Sequence, residues 1–324
     1  MPTETWDVLL PDTIDPTGPE SLADVAAFTR IGEYEDRAAF VDDCDRFDAM
    51  IVRVAEIDAE VLDAAESLQV VSKHGAGLDN VDIPAATERG VVVCNTPGAN
   101  SRSVAEHALM LVLATRKRVL AADASVRRGE WERPRFTNRE LAEDTLGLFG
   151  FGNIARELAD AVVGLEMDLL AYDPYVDESE TPAGVEMVSS TEALFERSDV
   201  VSIHAPLTDD THHAVGRAEL DALGSEGAII NTSRGGIVDE DALLDALDRD
   251  ALGSAGLDVF EQEPPEEGSA LFDREDVVLT PHIGGVTAEA LERMSRGAAA
   301  NVRTVYDGGV PESTVNADGL QRGE

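Results

Sequence analysis

Short apolar runs alternate with helix-compatible stretches along almost the whole chain. That alternation admits few folds besides parallel α/β sheets. In the first hundred residues the runs fall at 8–10, 49–52, 68–72 and 91–94, and each of the later three follows an acidic stretch such as 58–66. The turn-forming Asn95-Thr96-Pro97-Gly98 then interrupts the pattern. After it, residues 103–118 read as a helix that is apolar on nearly every side. Such a helix must be covered, by other layers of the same chain or by a second copy, so a homodimer through this region is expected. A second series of runs follows at 145–149, 169–172, 200–204, 228–231, 254–257 and 277–279. Six strands with helices between them give a full doubly wound sheet. The closing helical stretch, 288–306, is too short to be a domain and is expected to pack back onto the first one. The predicted fold class is therefore α/β with two Rossmann-like domains. The smaller, flavodoxin-like one spans 1–98 and is completed by 286–324; the larger, doubly wound one spans 99–285.

Charge narrows the function. Asp and Glu number 65 against 25 Lys and Arg, a net charge of −40, and only Lys73 and Lys117 are lysines. Such a surface repels nucleic acid and anionic membranes. Its self-repulsion is relieved in molar salt, where the Debye length falls to about 3 Å. A halophilic protein working in a high-salt cytoplasm is the expectation. Cys44 and Cys94 form no CxxC pair, which points to neither a disulfide framework nor a zinc site and fits a reducing compartment. The N-terminus lacks the basic flank and apolar core of a secretory signal. The longest apolar run, 108–114, is seven residues, whereas a bilayer needs about 20. No metal is expected.

The run 145–149 leads into Gly150-Phe151-Gly152-Asn153-Ile154-Ala155 and then a helical stretch. This is the G-x-G-x-x-A form of the dinucleotide fingerprint in its strand–turn–helix setting. Gly150 permits the tight turn, Gly152 the approach of backbone to a pyrophosphate, and Ala155 close helix–strand packing. The helix start offers free N–H groups to phosphate. Asp173 lies 21 residues past Gly152, at the end of the next run. A carboxylate there accepts hydrogen bonds from ribose hydroxyls and repels a 2′-phosphate, which favours NAD without excluding NADP.

A dinucleotide enzyme that moves a proton along with hydride needs an acid and a partner for that acid, and an anionic substrate needs a cation. Arg234 stands just beyond the run 228–231, Glu263 beyond 254–257, and His282 beyond 277–279. Taken alone, each has a plainer reading. His204 ends a run much as His282 does, so the catalytic role is open between them. Arg234 could be a structural ion-pair partner. Glu263 sits among Glu261, Glu266 and Glu267 and could be one more solvated acid. His107, on the apolar helix, reads as a core or interface histidine, while His212 and His213 read as loop residues. Arg53, after the run 49–52, either faces a cleft or is a surface charge.

The ordered set is more specific than its parts. HGAGLDNVD at 74–82, SVAEH at 103–107, GFGNIA at 150–155, YDPY at 172–175, NTSRGGIVDE at 231–240, LDVFEQEPP at 257–265 and TPHIGG at 280–285 follow one another with compatible spacing. Together they resemble the D-isomer-specific 2-hydroxyacid dehydrogenase family, nearest its phosphoglycerate dehydrogenase branch, over about residues 52–306. The resemblance implies that Arg234 pairs with the substrate carboxylate and that His282 is the general acid in reduction and base in oxidation. Glu263 would hold His282 and keep its proton available. Ala76 and Gly77, in the loop opened by His74, would offer N–H groups to the same carboxylate. Asn153 and Ile154 would touch the pyrophosphate. Thr232, Ser233, Asp258, Gly284 and Gly285 would line the nicotinamide end, and His204 and Pro206 the adenosine side.

A phosphorylated substrate calls for several converging cations. Only Arg53 and Arg102 present themselves, Glu56 adds an acid, and the sequence ends at Glu324 without the regulatory domain of many phosphoglycerate dehydrogenases. An unphosphorylated 2-oxo acid is therefore expected. A formate-dehydrogenase-like activity would pair the histidine with glutamine, and Glu263 argues against it. An NAD-sensing corepressor would be expected to carry a partner-binding extension.

Overall fold

The computed structural model describes residues 5–177, 179 and 181–320. The chain divides into two compact units, one formed by Met1–Asn100 with Val286–Glu324, the other by Ser101–Gly285.

The first unit is built on five parallel strands, β1 (Trp6–Leu10), β2 (Ala26–Arg30), β3 (Ala49–Val52), β4 (Val70–Lys73) and β5 (Val92–Cys94). Their order is β2-β1-β3-β4-β5, the flavodoxin-like arrangement. The strands alternate between two apolar layers. Leu9, Met50 and Val52 face a core with Phe40, Phe47 and Leu62. Val8, Leu10, Ala49 and Ile51 face the C-terminal helix Ala288–Tyr306 through Ala298, Ala299 and Val302. Trp6 meets Tyr306 edge-on with ring centroids 5.2 Å apart. The strand β2 was not foreseen. It is a half-exposed edge strand, Ala-Ala-Phe-Thr-Arg, without a continuous apolar run.

The second unit carries seven parallel strands, β6 (Thr145–Phe149), β7 (Asp168–Tyr172), β8 (Val185–Met187), β9 (Val200–Ile203), β10 (Ala228–Asn231), β11 (Ser254–Leu257) and β12 (Val277–Leu279). Their order is β12-β11-β10-β9-β6-β7-β8, so the winding reverses between β6 and β9. Ligands of doubly wound sheets sit outside the strand ends at such a reversal. The sequence reading gave six of these strands and missed the three-residue edge strand β8. The apolar helix is Ser101–Arg116, with Ala105, Ala108, Leu111 and Val112 in the core beside β6 and β10. A Cβ on Gly256 of β11 would lie 3.1 Å from Leu111 Cβ, so helix and sheet are in direct contact. A second helix, Val119–Arg127, follows, where the sequence reading had none.

Part of the acidic surplus is structural. Asp36, Asp58, Asp82 and Asp239 each cap a helix, accepting from the N–H groups of Ala39, Val61, Ala85 and Ala242.

Candidate active site

The turn after β6 has the geometry its glycines require. Gly150 has φ +92°, and a Cβ there would lie 2.6 Å from the nitrogen of Ala205. The turn thus backs onto the end of β9, at the reversal of strand order. Around Gly152 a Cβ would meet nothing within 4 Å, so this backbone is open to a ligand. The helix Asn153–Val162 begins with no side-chain cap, leaving its first N–H groups for an anion. Asp173, at the end of β7, accepts from Phe151 N at 2.8 Å and Tyr175 N at 2.9 Å. Fingerprint and carboxylate, 21 residues apart in sequence, therefore share one turn. Open backbone, an uncapped helix end and a neighbouring carboxylate fit a dinucleotide.

His204 follows β9. Both its ring nitrogens are sealed from water without a partner, and burial pushes its pKa down to about 3. A histidine held neutral in this way is a poor proton donor. Pro206, two residues on, is exposed. The buried hydroxyl of Thr232 also lacks a partner, and Ser233 donates its hydroxyl to the carbonyl of Ala205.

Three neighbouring strands deliver the remaining groups. At the end of β10 the Asn231 amide accepts from Ser233 N at 3.0 Å and donates to the Arg234 carbonyl at 2.9 Å, shaping the loop that presents Arg234. The guanidinium donates to the Ser233 carbonyl at 2.7 Å. Gly235 next to it is pressed on the following loop, where a Cβ would sit 1.8 Å from the carbonyl carbon of Phe260. Glu240 and Glu261 join the same two loops by reciprocal bonds, each backbone N–H donating to the other's carboxylate at 3.0 and 2.7 Å. Beyond β11, Glu263 accepts from Phe260 N at 3.1 Å through Oε1. Its Oε2 lies 2.7 Å from Nδ1 of His282, beyond β12. An imidazole facing a carboxylate through Nδ1 carries its hydrogen there and leaves Nε2 for another partner.

His282 has φ +53°, a conformation that residues with side chains seldom adopt. Asp258 holds it there. The Asp258 carbonyl accepts from His282 N at 2.8 Å. Its carboxylate takes Ile283 N at 2.9 Å, Gly284 N at 2.7 Å and the Thr280 hydroxyl at 2.6 Å. Burial raises the pKa of Asp258, but the bonds from His107, Thr280, Ile283 and Gly284 outweigh it and leave the carboxyl below its usual range. This carboxylate, expected to line the nicotinamide end, is thus engaged inside the protein. Gly284 is buried against it and Gly285 is half-buried.

In the first unit Arg53 follows β3, at that sheet's own reversal between β1 and β3. Its Nη1 lies 3.4 Å from the Thr13 hydroxyl. Lys73 donates to the Arg53 carbonyl at 2.6 Å. Ala76 is exposed and Gly77 half-buried; Asn95 fixes their loop by donating to the Ala76 carbonyl at 2.7 Å. His74 is buried with both ring nitrogens unpaired, and burial lowers its pKa. Arg102 lies on the outside of its helix, 3.1 Å from Glu106. Among the described residues, His213, Asp239 and Glu261 bring ligand-type atoms within 4.8 Å of one another. The imidazole of His213 already meets Glu261 at 2.9 Å.

Residues 109–284 match the D-isomer specific 2-hydroxyacid dehydrogenase NAD binding domain. The chain belongs to the D-isomer-specific 2-hydroxyacid dehydrogenase family. Within it, a D-3-phosphoglycerate dehydrogenase of Archaeoglobus fulgidus is 38% identical over 287 residues, 88% of this chain and 54% of the relative. A hydroxypyruvate reductase of Thermotoga maritima is 42% identical over 250 residues, 76% of this chain and 81% of the relative. The chain thus spans about half the length of the phosphoglycerate dehydrogenases it matches. Among solved structures, an NADPH-dependent glyoxylate/hydroxypyruvate reductase of Sinorhizobium meliloti, bound to NADP and malonate, superposes with a TM-score of 0.85. It is 31% identical, and the match covers 96% of this chain and 97% of that one. The described parts are α/β, and no described helix is long and apolar enough to cross a membrane. The residues that sequence reasoning undervalued are Gly235 and His107. The glycine pair after Arg234 was a usable signal of close approach; nothing local marked His107.

Proposed function

We propose that this chain is a D-2-hydroxyacid dehydrogenase, transferring hydride reversibly between NAD(H) and a small 2-oxo or 2-hydroxy acid. The observation that carries the reading is the 2.7 Å contact between His282 Nδ1 and Glu263 Oε2, at strand ends of a unit that matches an NAD binding domain. The nicotinamide, when bound, supplies or accepts the hydride. Gly150, Gly152, Asn153 and Ile154 receive the pyrophosphate, Asp173 the ribose, and His204 and Pro206 the adenosine side. Thr232, Ser233, Gly284 and Gly285 line the nicotinamide end, with Asp258 shaping that wall. Arg234 takes the substrate carboxylate on its planar fork. Within the first unit, Arg53 and the N–H groups of Ala76 and Gly77 are the groups suited to a substrate anion. In reduction His282 gives its Nε2 proton to the carbonyl oxygen; in oxidation it takes the hydroxyl proton back. Glu263, fixed by Phe260 N, keeps the ring oriented for proton transfer.

An unphosphorylated acid is the preferred substrate. Arg102, the second cation considered for a phosphate, already pairs with Glu106. The test is NADH and NADPH oxidation with pyruvate, glyoxylate, hydroxypyruvate and longer 2-oxo acids, at low salt and in molar KCl. Absence of turnover with every pair sinks the reading.

Two further features belong to it. The net charge of −40 with two lysines supports activity in a high-salt cytoplasm. Met110, Leu113, Val119, Leu120, Val126 and Trp131 leave apolar surface on and after the Ser101–Arg116 helix, Trp131 being 75% exposed. That surface favours a homodimer through this region.

A further inference from the structure

We propose that His107 is a positioning residue for His282, acting through Thr280 and Asp258; the inference rests on the reading of His282 as the proton donor. The hydrogen-bond directions follow by elimination. Asp258 is ionised and only accepts, so the one hydroxyl proton of Thr280 goes to its Oδ1, 2.6 Å away. The Thr280 oxygen then faces His107 Nε2, at 2.9 Å, as an acceptor. The same nitrogen is 3.3 Å from Asp258 Oδ1. Both neighbours accept, so Nε2 of His107 is the donor.

The groups tied together this way bracket His282. Thr280 precedes it by two residues, and Asp258 binds the N–H groups of Ile283 and Gly284 immediately after it. The ring of His107 also lies against Gly284, where a Cβ would be 3.5 Å from its Cδ2. His282 keeps its φ of +53° only while these neighbours hold it. His107 brings to them the firm placement of the Ser101–Arg116 helix, whose Leu111 and Thr115 would lie 3.1 and 3.4 Å from a Cβ on Gly256 of β11. Without the imidazole, Thr280 loses a donor and the turn loses its packing on the helix. His282 can then relax and turn its ring from Glu263. A histidine of purely structural worth would change stability and leave turnover per folded molecule alone.

The experiment uses the full chain in molar KCl, with NADH and whichever 2-oxo acid the wild type reduces. Misplacing a proton donor by about 1 Å can cost on the order of 100-fold, so His107→Leu is expected to lower kcat by about 10–100-fold with KM for NADH little changed. His107→Gln, whose amide can donate to the same oxygens, recovers most of the loss. Thr280→Val breaks the same link from the other side without touching the helix and lowers kcat similarly. Hydrogen exchange of the 280–286 segment, read by mass spectrometry, speeds up in His107→Leu. Unchanged kcat in both His107→Leu and Thr280→Val overturns the proposal, as does lost turnover with unchanged exchange. If the wild type reduces no 2-oxo acid, the functional reading fails separately. Exchange then decides the positioning alone: faster in His107→Leu upholds it, and unchanged overturns it.

Discussion

Glu263 grips His282 with one carboxylate oxygen, 2.7 Å from Nδ1, while its other oxygen is anchored 3.1 Å from the backbone N–H of Phe260. The carboxylate is therefore fixed before it fixes the imidazole. An acid on an otherwise crowded acidic loop gains a single orientation from one backbone donor. Glu261, two residues earlier, is held in a similar way by the N–H of Glu240 but meets His213 instead.

The pair is expected to act as a unit. His282→Ala should lower kcat by about 10²–10⁴-fold and leave NADH affinity nearly unchanged. Glu263→Gln, which keeps an acceptor and removes the charge, should fall between that variant and wild type. The double variant should be no worse than His282→Ala alone, because removing the imidazole already removes what Glu263 supports. Additive losses in steady-state kinetics would separate the two residues.

Gly235→Ala tests how the Arg234 and Glu263 loops are joined. The new Cβ would meet backbone of Phe260 at 1.8 Å, and backbone cannot swing aside as a side-chain end can. Forced overpacking of this kind costs about 1–3 kcal/mol, and the upper end is expected here. Denaturant titration in molar KCl measures it, and kcat/KM should drop with it because Glu263 is displaced. A variant as stable and active as wild type would show that the loops are free of each other.

Acid should destabilise the protein well above the carboxylate range. Burial without a partner pushes His204 down to about 3 in the folded chain, and His74 is lowered in the same sense. An unfolded histidine titrates near 6.5, so below about pH 6.5 the unfolded state binds a proton that the folded state refuses. The stability from this source is complete above about pH 6.5 and is lost as pH falls toward 3, amounting to about 2 kcal/mol from His204 at pH 5. His204→Leu should flatten that limb in denaturant titrations compared at pH 5 and 7.5. An unchanged slope would mean the ring is hydrated or paired in solution.

Cofactor choice should follow the charge of Asp173. Asp173→Asn keeps an acceptor for the turn and removes the repulsion on a 2′-phosphate. The ratio of kcat/KM for NADPH over NADH should rise by about tenfold, roughly 1.4 kcal/mol, and more at low than at molar salt because of screening. A ratio that does not move would place the discrimination elsewhere.

The charge and the exposed apolar surface make a joint claim. Activity and melting temperature should rise with KCl into the molar range, and light scattering there should give twice the chain mass. Trp131→Ala should shift the mass toward the monomer. Best performance at low salt would reject the first half, and a wild-type monomer the second.

Much of the fold could be read from the chain because buried parallel strands declare themselves as apolar runs. β6, β7, β9, β10, β11 and β12 all have that character, and β2 and β8 escaped because their residues are half-exposed, unlike those of β12, which is also an edge strand. The glycine turn was legible for a related reason, since backbone that must approach a ligand excludes side chains. Arg234, Glu263 and His282 stood out only as an ordered set.

What the sequence determined by itself is what short-range chemistry dictates: most of the strands, the glycine turn after β6, and an acidic composition almost without lysine. Tertiary structure alone decided how differently two similar histidines are surrounded. Both ring nitrogens of His204 are shut from water without a partner, whereas His282 meets a carboxylate held by a backbone amide. It also decided that His107, 173 residues before Thr280, shares a hydrogen bond with it. Burial and pairing depend on what the rest of the chain brings alongside, and no local pattern of residues encodes that.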